Sequence, residues 1–349
     1  MSEREITDFS RMAVEQMPKV ELHLHLDCCL SYAAVRALDV AVTPEVYRAE
    51  FIAPARCPSL ADYLRYPPRS VALLQTSDAL RLAVDDLFEQ LKRDRVVYVE
   101  IRFAPLLHVQ RGLPVHGVVE TVERAVDSAI ARTGIQARLI LCTLRHFKPE
   151  QSLETARLVT AFGGSYVAAL DIAGDEAGYA LDPHLAAFRW VAERGMDITA
   201  HAGEARGPDS VWETLDKLHP SRIGHGIRSI EDERLIENLV ARRIHLEVCP
   251  GSNLQTDVVG SIDEHPVDRL YKMGVSLGIS TDTRTITDVT LNQEYERLGR
   301  AFGWTPRHFL KCNLDAMSAS FAPDPIKHLI RQQLLAPYAS SSEPLLPNL

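Results

Sequence analysis

Short runs of apolar and β-branched residues recur along the chain, separated by longer stretches in which apolar residues fall three and four apart. Eight runs stand out: VELHLHLD (20–27), VVYVEIRFAP (96–105), ARLILCTLRH (137–146), YVAALDIAGDE (166–176), MDITAHAGE (196–204), RIGHG (222–226), IHLEVCPGSN (244–253) and VSLGISTDT (275–283). Runs of this length and composition predict strands. The stretches 77–94, 116–134, 149–164 and 184–195 have helical spacing, with glycine closing helices as it often does at C-termini.

Strands that alternate with helices predict a parallel sheet, and eight of them equal the strand count of one closed (β/α)8 barrel. No Pro/Gly/Ser-rich linker breaks the alternation, so residues 1–336 read as a single α/β barrel domain. The interval 28–95 is too long for one crossover helix and predicts extra helices over the barrel mouth. From Pro337 onward the chain is PYASSSEPLLPNL, and residues 337–349 read as a frayed tail.

Composition narrows the partners rather than the fold. Of the 349 residues 46% are apolar and 24% charged, enough for a sizeable core. The net charge of −9, without a Lys/Arg-rich run, argues against nucleic acid. Neither a signal peptide nor a membrane span is legible, so a cytoplasmic location is expected. Cys28, Cys29, Cys57, Cys142, Cys249 and Cys312 form no CxxC pair and predict free thiols. Oligomeric state stays open.

Candidate chemistry gathers at the C-terminal ends of the predicted strands, where barrel enzymes carry their active sites. His23 and His25, at i and i+2 on the first strand, project to one face; His201 and Glu204 follow the fifth, His225 the sixth and Asp282 the eighth. Four polar clusters at one end of an otherwise apolar barrel are hard to explain as packing, because buried polar groups are costly unless paired. Imidazole and carboxylate ligands suit Zn²⁺, and three His with one carboxylate leave room for a water. Such a site points to hydrolysis.

The motifs PKVELHLHLD (18–27), YVEIRFAP (98–105), LRH (144–146), DIAGDE (171–176), HAGE (201–204), RIGHG (222–226), CPGSN (249–253) and STD (280–282) resemble the adenosine deaminase family in content and order. SLADYLRY (59–66) is similar to that family's substrate-gating helix, and MSASF (317–321) also fits. The resemblance implies one Zn²⁺ per chain on His23, His25, His201 and Asp282. It makes Glu204 the proton shuttle to the ring nitrogen, and has His225 orient or deprotonate the attacking water. Asp27, Gly174, Thr283, Leu60, Tyr63 and Leu64 would bind substrate, with Asp27 accepting a sugar hydroxyl. The implied substrate is an aminopurine nucleoside, adenosine first, or a free base or modified nucleoside. The site is mononuclear by the same likeness, since DIAGDE lacks the bridging Lys of binuclear relatives.

Two positions depart from the family pattern. Thr283 stands where a second Asp commonly contacts the purine, and Cys28 and Cys29 replace small residues after Asp27. Both departures bear on substrate identity and leave the metal set intact. His146 ends the third predicted strand near the pocket, and Glu176 lies in the GDE run beside it.

Overall fold

The structure is a computed structural model that describes residues 14–338. Its strands are Lys19–His25 (β1), Val96–Phe103 (β2), Gln136–Leu144 (β3), Val167–Ala173 (β4), Asp197–Ala202 (β5), Arg222–His225 (β6), His245–Val248 (β7) and Leu277–Ile279 (β8). All pair in parallel in the order β1 to β8. The ring closes just past β8. There His25 N–H donates to the Asp282 carbonyl at 2.9 Å and Asp282 N–H to the His23 carbonyl at 3.0 Å.

Alternation on the strands decides what fills the barrel. On β2 the side chains of Val99, Ile101 and Phe103 alternate with those of Tyr98, Glu100 and Arg102, and all six are fully buried. Glu100 and Arg102 face the interior, where they meet Asp171 of β4, Arg222 of β6 and Glu247 of β7, none of them exposed. This corrects the expectation of an apolar barrel interior. The aliphatic residues that suggested it lie on the opposite strand faces, toward the surrounding helices, while the charged residues between them pair across the barrel.

Between β1 and β2 come Tyr32–Leu38 (α1), Pro44–Glu50 (α2), Leu60–Tyr63 (α3), Pro67–Leu73 (α4) and Ser77–Arg93 (α5). Ser31, Thr43, Ser59 and Thr76 start α1, α2, α3 and α5 by accepting a backbone N–H from three residues on. Helix α5 packs Leu80, Val84, Leu87 and Leu91 inward at helical spacing. The shorter α3 gathers a small separate apolar cluster of Cys28, Ala53, Cys57, Leu60, Tyr63 and Ile286. The predicted cover over the mouth is therefore present.

Two runs that read as long strands are shorter. IHLEVCPGSN leaves the sheet after Val248 because Pro250 begins a helix over Pro250–Gln255, and β8 keeps only Leu277–Ile279. Of the tail predicted to fray, Tyr338 is buried at the end of a turn over Ala336–Tyr338, and the remainder lies outside the described residues. Among the described residues no helix is long and apolar enough to cross a membrane.

Candidate active site

The ends of β1, β5, β6 and the turn after β8 bring His23, His25, His201, His225, Glu204 and Asp282 together in the barrel mouth. His23 Nε2 and His25 Nε2 lie 3.4 and 3.5 Å from Asp282 Oδ1, and His25 Nε2 lies 3.3 Å from His201 Nε2. Two of these residues sit in the left-handed backbone region, His225 at φ 61° and Asp282 at φ 63°, strain typical of functional positions. Room for the His23 ring depends on Gly224, where a Cβ would lie 2.9 Å from His23 Cε1.

The rings of His23 and His201 are each oriented by a carboxylate on the far side. His23 Nδ1 meets Glu247 Oε2 at 2.9 Å and His201 Nδ1 meets Asp171 Oδ1 at 3.2 Å. Ionised carboxylates only accept, so both rings carry their proton on Nδ1 and turn a free Nε2 lone pair into the cluster. Arg102 bridges the two carboxylates, donating to Asp171 Oδ2 at 2.8 Å and Glu247 Oε2 at 2.6 Å. Ser252 donates to Asp282 Oδ2 at 2.7 Å. Burial works against the Asp282 charge, yet the imidazoles around it hold its carboxyl well below the usual range.

His225 differs from the other imidazoles, and a chain of bonds fixes how. Val267 N–H donates to His265 Nδ1 at 3.1 Å, so the His265 proton is on Nε2, 3.3 Å from Asn253 Oδ1. Asn253 therefore turns its amide nitrogen to His225 Nδ1 at 3.2 Å. With Nδ1 accepting, the His225 proton sits on Nε2, which faces Glu204 Oε2 at 3.6 Å. Burial pushes the pKa of His225 well down and that of His265 down to about 3, so both rings are neutral at pH 7.

Zinc is tested here by geometry. With Zn–N and Zn–O bonds of about 2.0–2.1 Å, tetrahedral ligand atoms are separated by about 3.4 Å. The three contacts of 3.3, 3.4 and 3.5 Å match that edge. His23 Nε2 is fully buried without a hydrogen-bond partner, which a metal ion would supply. The donor set fits.

Glu204 is buried beside the cluster. Burial, with the Asp282 and Glu176 charges near it, raises its carboxyl well above the usual range, while a Thr256 hydroxyl at 3.3 Å from Oε1 opposes the shift. Its loop is held from below by Glu176, which accepts the backbone N–H groups of Gly203, Glu204 and Arg206 at 2.7, 3.1 and 3.0 Å.

A cavity of about 610 Å³ opens above these residues, and Asp27, Gly174, Thr283, Leu60, Tyr63 and Leu64 all line it. Gly174 has φ 101°, a conformation that only glycine adopts without strain. Thr283 Oγ1 bonds the Tyr63 hydroxyl and Thr287 Oγ1, the latter at 2.9 Å. Cys28 lines the cavity, but Cys29 packs into the barrel core, so only the first of the two shapes the pocket. His146 lines it near the outer surface. The roles of Asp171, Glu247, Arg102, Asn253 and His265 were not anticipated; Asp171, Glu247 and Arg102 show only as polar residues inside apolar strands, while Asn253 lies in the helix after β7 and His265 in the stretch between β7 and β8.

A parallel eight-stranded barrel whose C-terminal mouth gathers imidazoles and a carboxylate around a deep cavity is the arrangement of a metal-dependent hydrolase. Residues 18–337 match the family described as adenosine deaminase. An adenosine deaminase of Lacticaseibacillus paracasei is 34% identical over 333 residues, covering 94% of this chain and 98% of its own. The solved adenine deaminase of Arthrobacter aurescens superposes with a TM-score of 0.85 at 25% identity, over 93% of this chain and 100% of its own. The arabidopsis ADAL structure complexed with IMP gives 0.84 at 24% identity over 94% and 99%. The chain belongs to the adenosine deaminase family, enzymes that hydrolyse carbon–nitrogen bonds.

Proposed function

We propose that this chain is a zinc-dependent hydrolytic deaminase of aminopurine nucleosides, with adenosine and water giving inosine and ammonia. The observation that carries the reading is a buried carboxyl, Glu204, whose pKa burial raises, set beside three histidines and an aspartate at ligand spacing. His23, His25, His201 and Asp282 would hold one zinc ion per chain. Zinc bound there acidifies a water molecule, so that a nucleophile is available at neutral pH.

Glu204 gives its proton to the ring nitrogen beside the carbon under attack, and so offsets the charge that attack pushes onto the ring. Burial favours the protonated form of its carboxyl, and Thr256 donates to Oε1. His225 orients the incoming oxygen through its Nε2–H. Its other nitrogen is engaged by Asn253, which favours orientation over proton abstraction. Gly174 lets the purine lie against backbone, and Thr283 faces the ring as a neutral hydroxyl. Of the two protons of water, one leaves with ammonia and the other restores Glu204, while the ring carbon keeps the oxygen.

The cavity favours nucleosides over nucleotides. Among the described residues no Lys or Arg lines it, while Asp27, Asp175, Glu204 and Asp282 do. A phosphate would meet carboxylates without a cation to offset them. A second reading, a free base such as adenine, draws on Thr283 in place of a carboxylate. The paired Asp27 and His108, 3.6 Å apart past the reacting end, favour a sugar.

The test is ammonia release by the zinc-loaded protein from adenosine, 2′-deoxyadenosine, adenine and AMP. Turnover of the nucleosides is expected, with AMP poor. Absence of turnover on every aminopurine would overturn the reading.

A further inference from the structure

The cavity is longer than the reaction requires. Its reacting end is built from β1, β5, β6 and the turn after β8. Asp27, after β1, faces His108, after β2, and this pair sits where the nucleoside reading puts the sugar. In the strand order β2 and β3 stand away from β5, β6 and β8, and on their side the cavity is lined from α4 and from the turns after these two strands. The walls there are Pro68, Val71 and Ala72 of α4, with Leu107 and Leu144 opposite.

This part of the cavity has a definite chemical character. Its surface is mostly aliphatic, with Gln110 in the turn of Leu107 and Asp175 next to Gly174 as polar members, and the ring centroids of His146 and Tyr179 stand 6.2 Å apart. Tyr179 is 48% exposed, an unusual place for a large aromatic side chain. Arg145, next to His146, has its Nη2 on the His201 carbonyl at 3.0 Å and its Nη1 toward the Tyr179 carbonyl, so it offers no free cation. The Tyr63–Thr283–Thr287 hydroxyl cluster closes the purine side. Extra substrate volume therefore lies beyond the sugar, and the exocyclic 5′ carbon is the position from which a nucleoside lengthens.

We propose that the part of the cavity on the β2 and β3 side binds an uncharged apolar or aromatic group on the 5′ carbon, so that the preferred substrate is a 5′-substituted aminopurine nucleoside rather than adenosine. The inference rests on the deaminase reading above. Each methylene moved from water into such a wall is worth roughly fourfold in affinity.

The experiment compares kcat/KM of the zinc-loaded full chain for adenosine, 5′-deoxyadenosine, 5′-methylthioadenosine, 5′-phenylthio-5′-deoxyadenosine and AMP. A rising series is expected, the phenylthio compound exceeding adenosine at least tenfold, mostly through KM, with AMP below adenosine. A flat or falling series with adenosine active overturns this inference and leaves the deaminase reading standing; silence on every compound overturns both. Leu107→Asp supplies an internal control. It should lower the ratio of phenylthio compound to adenosine about tenfold, whereas a merely misfolded variant lowers both rates together and leaves the ratio intact. An unchanged ratio in a folded variant counts against the proposal.

Discussion

The two halves of the barrel mouth are built on different physics. Around β1, β5, β6, β7 and the turn after β8, polar atoms are oriented by charged or hydrogen-bonding partners: Glu247 under His23, Asp171 under His201, Ser252 on Asp282, Asn253 on His225. Across the mouth, α3, α4 and the turns after β2 and β3 offer mostly aliphatic walls, and the Tyr63 hydroxyl of α3 meets Thr283 and Thr287 of the turn after β8. Directional bonds fix atoms to within tenths of an ångström, as a reacting centre requires. Apolar contacts fix volume and tolerate change of shape. Chemistry is held on one side, and choice of substrate on the other.

Substitutions can break this division, and the largest effect falls at its chemical centre. Glu204→Gln keeps the shape and removes the acid; kcat should fall about 10³-fold or more while zinc content by elemental analysis stays at wild type. Retained turnover would remove Glu204 from the proton step. Arg102→Met leaves the buried Asp171 without a guanidinium partner and Glu247 with Arg222 alone. Loss of about 3–5 kcal/mol in denaturant unfolding is expected, with zinc affinity down about 10–100-fold. Near-normal stability and affinity would show that the floor does not support the histidines.

Smaller effects sharpen the contrast. Asn253→Ala frees His225 Nδ1, and kcat should drop about tenfold with KM little changed; a KM effect alone would move Asn253 to substrate binding. Thr283→Asp returns a carboxylate to the ring-facing position and should change the adenosine-to-adenine kcat/KM ratio several-fold, with zinc content constant. Tyr63→Phe removes one hydroxyl from the cluster with Thr283 and Thr287 and should shift KM about two- to threefold. If Tyr63→Phe matched Asn253→Ala in kcat, the two halves would not be separable.

How far the sequence could be read follows the same line. His23, His25, His201, Glu204, His225 and Asp282 were legible because strand ends are local and side chains alternate along each strand. Arg102 and Glu247 were not, being 145 positions apart and meeting only when the barrel closes. Helices α1 to α4 run four to seven residues, too short to show a period, although the Ser or Thr before three of them marks their starts. The excess length given to the seventh strand came from reading CPGSN as a continuation of an apolar run, where Pro250 turns the chain into a helix. Glu176 is intermediate: visible as an acid in a loop, but with no local sign that it grips the Glu204 backbone.

The buried floor of Glu100, Arg102, Asp171, Arg222 and Glu247 also bears on how such a protein can change over generations. Neutralising either arginine strands carboxylates in a place water does not reach, so a lineage must alter an arginine and its acids together or not at all. Leu107, Val71 and their neighbours carry no such tie and can drift one codon at a time. A mutant library aimed at a new substrate should therefore spend its diversity on α3, α4 and the turns after β2 and β3, and keep the floor constant.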